Sequence, residues 1–226
     1  MRKSLQGMLW MFTGKLGRFD RIAITQRPQR FTKYHKELFM EEDIIQSLDT
    51  LEAGGTILYP TDTIWGIGCD ATNEDAVKKL YKIKRRENSQ SLLILLDDPM
   101  KLGNYVKAVP DIAWEIINVT NKPLTLIYPE GINLAKNVLA NDGSVGIRIT
   151  NDEFCVRLIR RFHKPIVSTS ANYSGQSPPA NFSEIAEELV NKMDYVVKWR
   201  QKEKRKGSSS GIIKVGVNNE IEVIRE

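Results

Sequence analysis

From Thr56 to Ile224 the chain alternates short apolar runs of strand length with longer segments whose apolar residues recur every three or four positions. That alternation restricts the fold to an α/β architecture. Thr56–Tyr59 reads as a short buried strand. Glu74–Arg85 reads as a helix capped by Asn73 or Thr72, with Val77, Leu80 and Ile83 on one face. Leu92–Leu96 is apolar throughout, as a strand covered on both sides must be. Pro110 opens a helix to about Val119, Leu124–Tyr128 and Val145–Ile149 are strands, and Glu153–Phe162 is a helix. Ile166–Thr169 is a strand, Ser183–Val190 a helix, and Tyr195–Val197, Gly211–Val215 and Ile221–Ile224 are late strands. The order predicts an α/β fold with strands running in mixed directions. Upstream, Ile44, Ile45, Leu48 and Leu51 follow the acids Glu41, Glu42 and Asp43 at helical spacing, and Gly54-Gly55 ends that helix.

Residues 1–39 show neither clean periodicity nor caps, and read as an N-terminal extension with a short strand around Arg21–Thr25. The domain proper is expected over residues 40–226. Residues 1–40 carry nine Lys and Arg against two Asp and Glu, whereas the remaining 186 residues carry 24 against 26. The basic character therefore belongs to the extension. A basic arm can track nucleic-acid phosphates or serve as a solubilising tail, and both readings stay open.

With 226 residues, 41% of them hydrophobic, the chain can bury one substantial core. No apolar run approaches the ~20 residues of a membrane span. Met8–Phe12 is too short for a signal-peptide core and no small-residue cleavage site follows it. A soluble cytoplasmic protein without a membrane partner is expected. Two cysteines, Cys69 and Cys155, supply no disulfide framework, and with His35 and His163 they make a Cys- or His-based metal site an unlikely design. Cys69 is read as a small buried hydrophobe.

Lys82, Lys84, Arg85 and Arg86 crowd the end of the second helix, just before a buried strand. The helix dipole explains one or two of them. As a group they suit a polyphosphate, which takes Lys as a point charge and Arg as a fork. Val167–Gly175 leaves an apolar strand and enters a loop. Ser168, Ser170 and Asn172 alternate there, so an extended path aims all three to one side, unless they serve only as turn and cap residues. Arg148, between Ile147 and Ile149, is either paired structurally or presented to a ligand. Gly66-Ile67-Gly68 matches a dinucleotide fingerprint only formally and is read as turns and close backbone approaches. Gly14-Lys15 lacks the spacing of a phosphate loop, and no nucleophile elbow exists for a serine hydrolase. Lys198–Lys206 holds six basic residues and one Glu, and reads as a loop that brings positive charge over a ligand.

Taken together, these residues resemble the YrdC family of threonylcarbamoyl-AMP synthases from about Met40 onward. The Pro-Thr-acid-Thr-x-aromatic-Gly turn is matched by Pro60, Thr61, Asp62, Thr63, Trp65 and Gly66. Lys84 and Arg86 match a Lys-x-Arg, Pro123 and Thr125 a Pro-x-Thr, and Ile147-Arg148 a strand end. Ser170 and Asn172 match the Ser-x-Asn signature; Gly207, Ser210, Ile212 and Arg225 match the last loop and the final Arg. The sequence departs at Glu87, where the family usually has Pro, at Asn121-Lys122 in place of Pro-Gly, and at Gly211 in place of Thr. Ser91–Leu96 lacks a His that some members carry. With the match ending at Arg225, the extra C-terminal domain of longer members is expected to be absent.

The resemblance implies a twisted mixed sheet flanked by helices, with a concave basic surface. It implies a nucleotidyltransferase that joins L-threonine, bicarbonate and ATP, the last carrying Mg²⁺, into threonylcarbamoyl-AMP and pyrophosphate. The product would feed a tRNA threonylcarbamoyl-transfer complex downstream. Lys84 and Arg86 would be catalytic and, with Thr125, Arg148, Ser168, Ser170, Asn172 and Arg225, would bind ATP. Thr63 and Ser210 would hold threonine, and no protein metal site is implied. The main rival reading is a non-catalytic protein that binds tRNA or double-stranded RNA; carbamoyl transfer on the same fold ranks third. An aromatic content of 8% without aromatic–basic interleaving weighs against single-strand RNA binding.

Overall fold

A computed structural model of the chain describes residues 20–85, 92–204 and 207–226, with side chains described from residue 36 onward. The N-terminal part of the basic extension, residues 1–19, therefore lies outside the described residues. The chain divides into two units, Met1–Leu38 and Phe39–Glu226, and the strands all fall in the second. In chain order the elements are α1 (Asp20–Glu52), β1 (Ile57–Tyr59), β2 (Gly66–Gly68), α2 (Glu74–Lys84) and β3 (Leu93–Leu96). They continue with α3 (Asp111–Val119), β4 (Leu124–Tyr128), β5 (Val145–Ile149), α4 (Glu153–Phe162) and β6 (Ile166–Ser170). Last come α5 (Glu187–Val190), β7 (Tyr195–Val196), β8 (Gly211–Val215) and β9 (Ile221–Arg225). Short 3₁₀ turns occupy Pro99–Asn104, Lys136–Val138 and Phe182–Glu184.

Two local expectations are corrected. Arg21–Thr25 is helical, not a strand, because it is the first part of α1. Its β-branched residues are outvoted by the Gln, Arg, Lys and Glu that follow, and extending an existing helix costs far less than nucleating a new element. The helix expected over Ser183–Val190 is interrupted: Ile185 and Ala186 take extended backbone (ψ 130° and 127°), which leaves a 3₁₀ turn capped by Asn181 and a single turn of α5.

The helix ends follow capping chemistry. Asn73 accepts from the N–H groups of Asp75 and Ala76 to start α2, and Asp152 accepts from the Cys155 N–H to start α4. Arg85 and His163 close those helices in the left-handed region, at φ 51° and 58°.

The nine strands form one mixed sheet in the order β7-β1-β2-β6-β3-β5-β4-β8-β9, flanked by helices. The pairs β1–β7, β3–β5 and β4–β8 are parallel and the others antiparallel. Central strands are buried on both faces: Ile57, Leu58, Tyr59, Ile67, Ile94, Leu95 and Val167 have no exposed surface. The pleat sends alternate residues of β4 and β5 to opposite faces. Thr125, Ile127, Gly146 and Arg148 line one cavity, while Leu124, Leu126, Tyr128, Ile147 and Ile149 line another. Cys69 and Cys155 are both free and buried, and burial pushes each thiol up from its ordinary value. Among the described residues no helix is long and apolar enough to cross a membrane.

The strand β2 is built from two glycines, and close approach is the reason. A Cβ on Gly68 would overlap the carbonyl oxygen of Val167 in the neighbouring strand β6. Backbone cannot yield there as a flexible side-chain tip could, so Gly68→Ala is expected to lower unfolding stability by about 1–3 kcal/mol. A urea titration followed by circular dichroism measures the change.

Candidate active site

Seven side chains singled out from the sequence converge on one cavity of about 270 Å³: Thr63, Thr125, Arg148, Ser168, Ser170, Ser210 and Arg225. They arrive from six places. Thr63 stands on the turn between β1 and β2, Thr125 on β4, Arg148 on β5, Ser168 and Ser170 on β6, and Ser210 and Arg225 on the last loop and β9. Register brings the middle of the set together, since Thr125 lies opposite Arg148 across β4–β5. Among the described residues the lining includes two arginines and several hydroxyls but no carboxylate. Such a site favours an anion.

Arg148 is 4% exposed. Its Nη2 lies 3.2 Å from Asp62 Oδ1, and its buried Nε has no hydrogen-bond partner among the described residues. A guanidinium carries five N–H donors in a rigid fork, and a buried one without acceptors is costly. A ligand bearing phosphate or carboxylate oxygens in the cavity would satisfy it. Arg225 is more committed, because its Nε and Nη2 both donate to the Ser210 carbonyl at 2.9 and 2.7 Å. It holds the loop that delivers Ser210, whose hydroxyl lies 2.9 Å from that of Thr125.

Proton counting fixes the direction of the hydroxyls on the β1–β2 turn. Thr61 donates its one hydroxyl hydrogen to the Ile64 carbonyl at 2.7 Å and accepts from the Thr63 N–H at 3.0 Å. In the 2.9 Å contact between the two threonine hydroxyls, Thr63 must therefore be the donor. Its remaining capacity is that of an acceptor.

Lys84 and Asn172 are not among the lining residues. Lys84 is 3% exposed, and its Nζ donates to the Ser170 carbonyl at 2.6 Å, which places its charge at the end of β6. Asn172 Nδ2 is committed to the carbonyls of Tyr173 and Gln176, while its buried Oδ1 has no partner among the described residues. Arg86 and Glu87 lie outside the described residues. Arg85, next to Lys84, faces away from this chemistry: it stacks 4.3 Å from the Tyr173 ring centroid and pairs with Glu188 at 2.8 Å.

The loop expected to carry positive charge over a ligand does so less than its composition implies. Arg200 is turned inward, 2.6 Å from Asp152 and 2.7 Å from Glu203. Burial pushes the Asp152 carboxyl up from its ordinary value, against the pull of the Arg200 guanidinium. Further along, a Cβ on Gly207 would overlap the Thr63 carbonyl, so glycine lets the loop lie directly on the β1–β2 turn. Thr169 and Ser209 also line the cavity, although spacing alone does not single them out. Thr169 falls on the opposite phase of the β6 alternation. Ser209 is one of three consecutive serines, and nothing local ranks them.

Comparison with known proteins follows from this geometry. The family model Sua5_yciO_yrdC, described as "Telomere recombination", matches residues 49–226. The chain belongs to the Sua5/YciO/YrdC family. A protein of Pseudoalteromonas translucida (strain TAC 125) named threonylcarbamoyl-AMP synthase is 32% identical over 160 residues, covering 70% of this chain and 86% of that protein. The crystal structure of P. abyssi Sua5 complexed with L-threonine superposes with a TM-score of 0.67 at 25% identity, covering 76% of this chain. The chain spans half the length of that Sua5 chain, with 50% of it covered. E. coli YciO shares the fold, with a TM-score of 0.70 at 20% identity over 84% of this chain and 89% of the other.

For this member of the Sua5/YciO/YrdC family, Arg148→Gln should weaken binding of inorganic pyrophosphate by roughly 10- to 100-fold, the loss of charge-assisted hydrogen bonds. Titration calorimetry with pyrophosphate alone measures it.

Proposed function

We propose that this family member is an L-threonylcarbamoyladenylate synthase. It joins L-threonine, bicarbonate and ATP into threonylcarbamoyl-AMP, releasing pyrophosphate and water. The observation that carries the proposal is Arg148, a buried cation whose Nε has no partner among the described residues and which lines a hydroxyl-rich cavity with no described carboxylate. The name of the P. translucida relative and the L-threonine complex of P. abyssi Sua5 support the choice of substrates.

The chemistry asks for placement and charge, with no protein nucleophile. The unprotonated threonine amine attacks carbon dioxide derived from bicarbonate, forming the N–C bond, and loses a proton to give a carbamate. A carbamate oxygen then attacks the α-phosphorus in line. The bond from that phosphorus to the bridging oxygen breaks, and its electron pair leaves with pyrophosphate. Arg148, Lys84 and Arg86 neutralise the triphosphate and the leaving group. Ser168, Ser170, Thr125 and Asn172 orient phosphate and ribose oxygens, with the Asn172 Oδ1 acceptor suited to a hydroxyl or amine donor. Thr63, left as an acceptor, receives a hydrogen bond from threonine, and Ser210 closes the same end of the site. Arg225 serves mainly by fixing Ser210.

Mg²⁺ would enter on the ATP phosphates and neutralise part of their charge. Among the described residues no group of three or more His, Cys, Asp or Glu is placed to hold a metal ion, and the described polar groups of the cavity lining are hydroxyls and guanidinium groups. The nucleotide and water are therefore its ligands in this proposal. The product is a reactive mixed anhydride, to be consumed by a transfer step onto tRNA through a threonylcarbamoyl-transfer complex. We place the reaction in the cytoplasm on that chemistry. Direct binding of tRNA or double-stranded RNA is not required by any of these steps.

Pyrophosphate release from ATP, with threonine and bicarbonate each supplied or withheld, tests the proposal. Release that requires both is the expected result, and release indifferent to threonine overturns it. Thr63→Val removes the acceptor while keeping the shape. It should raise the KM for threonine by roughly 10-fold, the cost of one hydrogen bond, with the KM for ATP unchanged, as initial-rate measurements would show.

A further inference from the structure

We infer that Asp62 is a positioning residue, which acts on the nucleotide only through Arg148. The inference rests on the proposed adenylation chemistry for its consequences in turnover, and on geometry alone for its consequences in binding. Asp62 does not line the cavity that holds Arg148; it lines the cavity of about 540 Å³ formed by the alternate residues of β4 and β5. Its carboxylate therefore stands behind the guanidinium, away from the proposed phosphate positions. A carboxylate inside the anion-binding cavity would repel the triphosphate, whereas one behind Arg148 leaves the ligand side clear.

The pair is arranged to hold charge without consuming donors. Nη2 and Oδ1 are 3.2 Å apart, yet neither Asp62 Oδ1 nor Arg148 Nε has a hydrogen-bond partner among the described residues. A bidentate fork would fix Arg148 more firmly but would use the donors that a phosphate needs. Asp62 is itself located from its other oxygen. Thr150 donates its hydroxyl to Oδ2 at 3.4 Å, and the same hydroxyl accepts from the Asp152 N–H at 3.2 Å. Asp152 in turn takes Arg200. Two half-buried acids thus sort two arginines: Asp62 takes the one at the cavity, and Asp152 takes the one on the loop that precedes Ser209 and Ser210. Without Asp62, Arg148 is a buried cation with no counter-charge, free to leave the direction in which the phosphates need it.

A double-mutant cycle on the full chain tests the inference. Dissociation constants for ATP are measured by calorimetry on the wild type, Asp62→Asn, Arg148→Gln and the double variant, so that the result does not depend on turnover. Asp62→Asn is expected to weaken ATP roughly 10-fold and Arg148→Gln somewhat more. The double variant should match Arg148→Gln alone. Independent, multiplying losses would overturn the inference, because Asp62 would then act by another route. Where Asp62→Asn lowers the yield of folded protein, Thr150→Val keeps both charges and removes the hydroxyl that the Asp62 carboxylate shares with the Asp152 N–H. It should weaken ATP a few-fold, and an unchanged affinity counts against the inference. In the turnover assay, the KM for ATP should rise in both variants while the KM for threonine stays put. A merely structural role lowers kcat through the active fraction and moves neither KM. A wild type that binds ATP and obeys the cycle, yet needs no threonine for pyrophosphate release, refutes the proposed reaction and leaves the role of Asp62 standing.

Discussion

A guanidinium buried to 4% exposure beside an open cavity is the constraint around which the rest of the site is organised. Removing a charge from water is expensive unless a partner compensates for it, and in Arg148 the compensation is divided. Asp62 supplies a counter-charge from behind, and the hydrogen-bonding fork is left facing a space lined by hydroxyls. The site is thus electrostatically incomplete in a defined direction. A ligand that brings anionic oxygens completes it, and this links the packing of β5 to a preference for phosphates. The pleat makes the arrangement compatible with a core. Ile147 and Ile149 face the other way, so one strand can carry both a polar active surface and apolar packing.

The last loop depends on the same charge array. Arg200 is fastened to Asp152, Gly207 lies against the Thr63 carbonyl, and Arg225 holds the Ser210 carbonyl. These three attachments fix both ends of the segment that delivers Ser209 and Ser210. A composition this basic suggests a mobile cationic flap, but the half-buried pair at Arg200 converts one of its charges into an anchor. Buried ion pairs contribute little net stability, and their better attested use is to specify one arrangement over others. Here the arrangement specified is the register of the loop over the β1–β2 turn.

Much of this was legible from residue order. The bounds of β4, β5, α4 and β8 can be read to the residue, because apolar runs of strand length or a clean helical stripe stand between polar, Gly or Pro punctuation. β2 could not be read, since two glycines around one isoleucine carry no side-chain pattern and the strand exists only through its neighbours. Arg21–Thr25 misled for the opposite reason: its β-branched residues have a strong local preference that the continuing helix overrides. In the site, alternation along β6 and the isolated polar residue Arg148 in an apolar strand were informative, because a polar group in a buried strand needs a partner, while Thr125 was legible only through the family resemblance. Asp62 carried no comparable signal. Its relation to Arg148 is a tertiary contact between the turn after β1 and the strand β5, and no spacing rule reaches that far.

The two hydroxyl pairs give the site a polarity that shape alone would not. Thr61 gives its single hydrogen to the Ile64 carbonyl, which obliges Thr63 to donate toward Thr61 and leaves its lone pairs for a ligand. An acceptor at that end of the cavity discriminates between donor and acceptor groups of a ligand. Phosphate oxygens are refused there, because acceptor meets acceptor, and are drawn toward Arg148 instead. An amine or hydroxyl donor is accepted. A single part-buried hydrogen bond, from Thr61 to the Ile64 carbonyl, thus leaves Thr63 an acceptor at its end of the cavity.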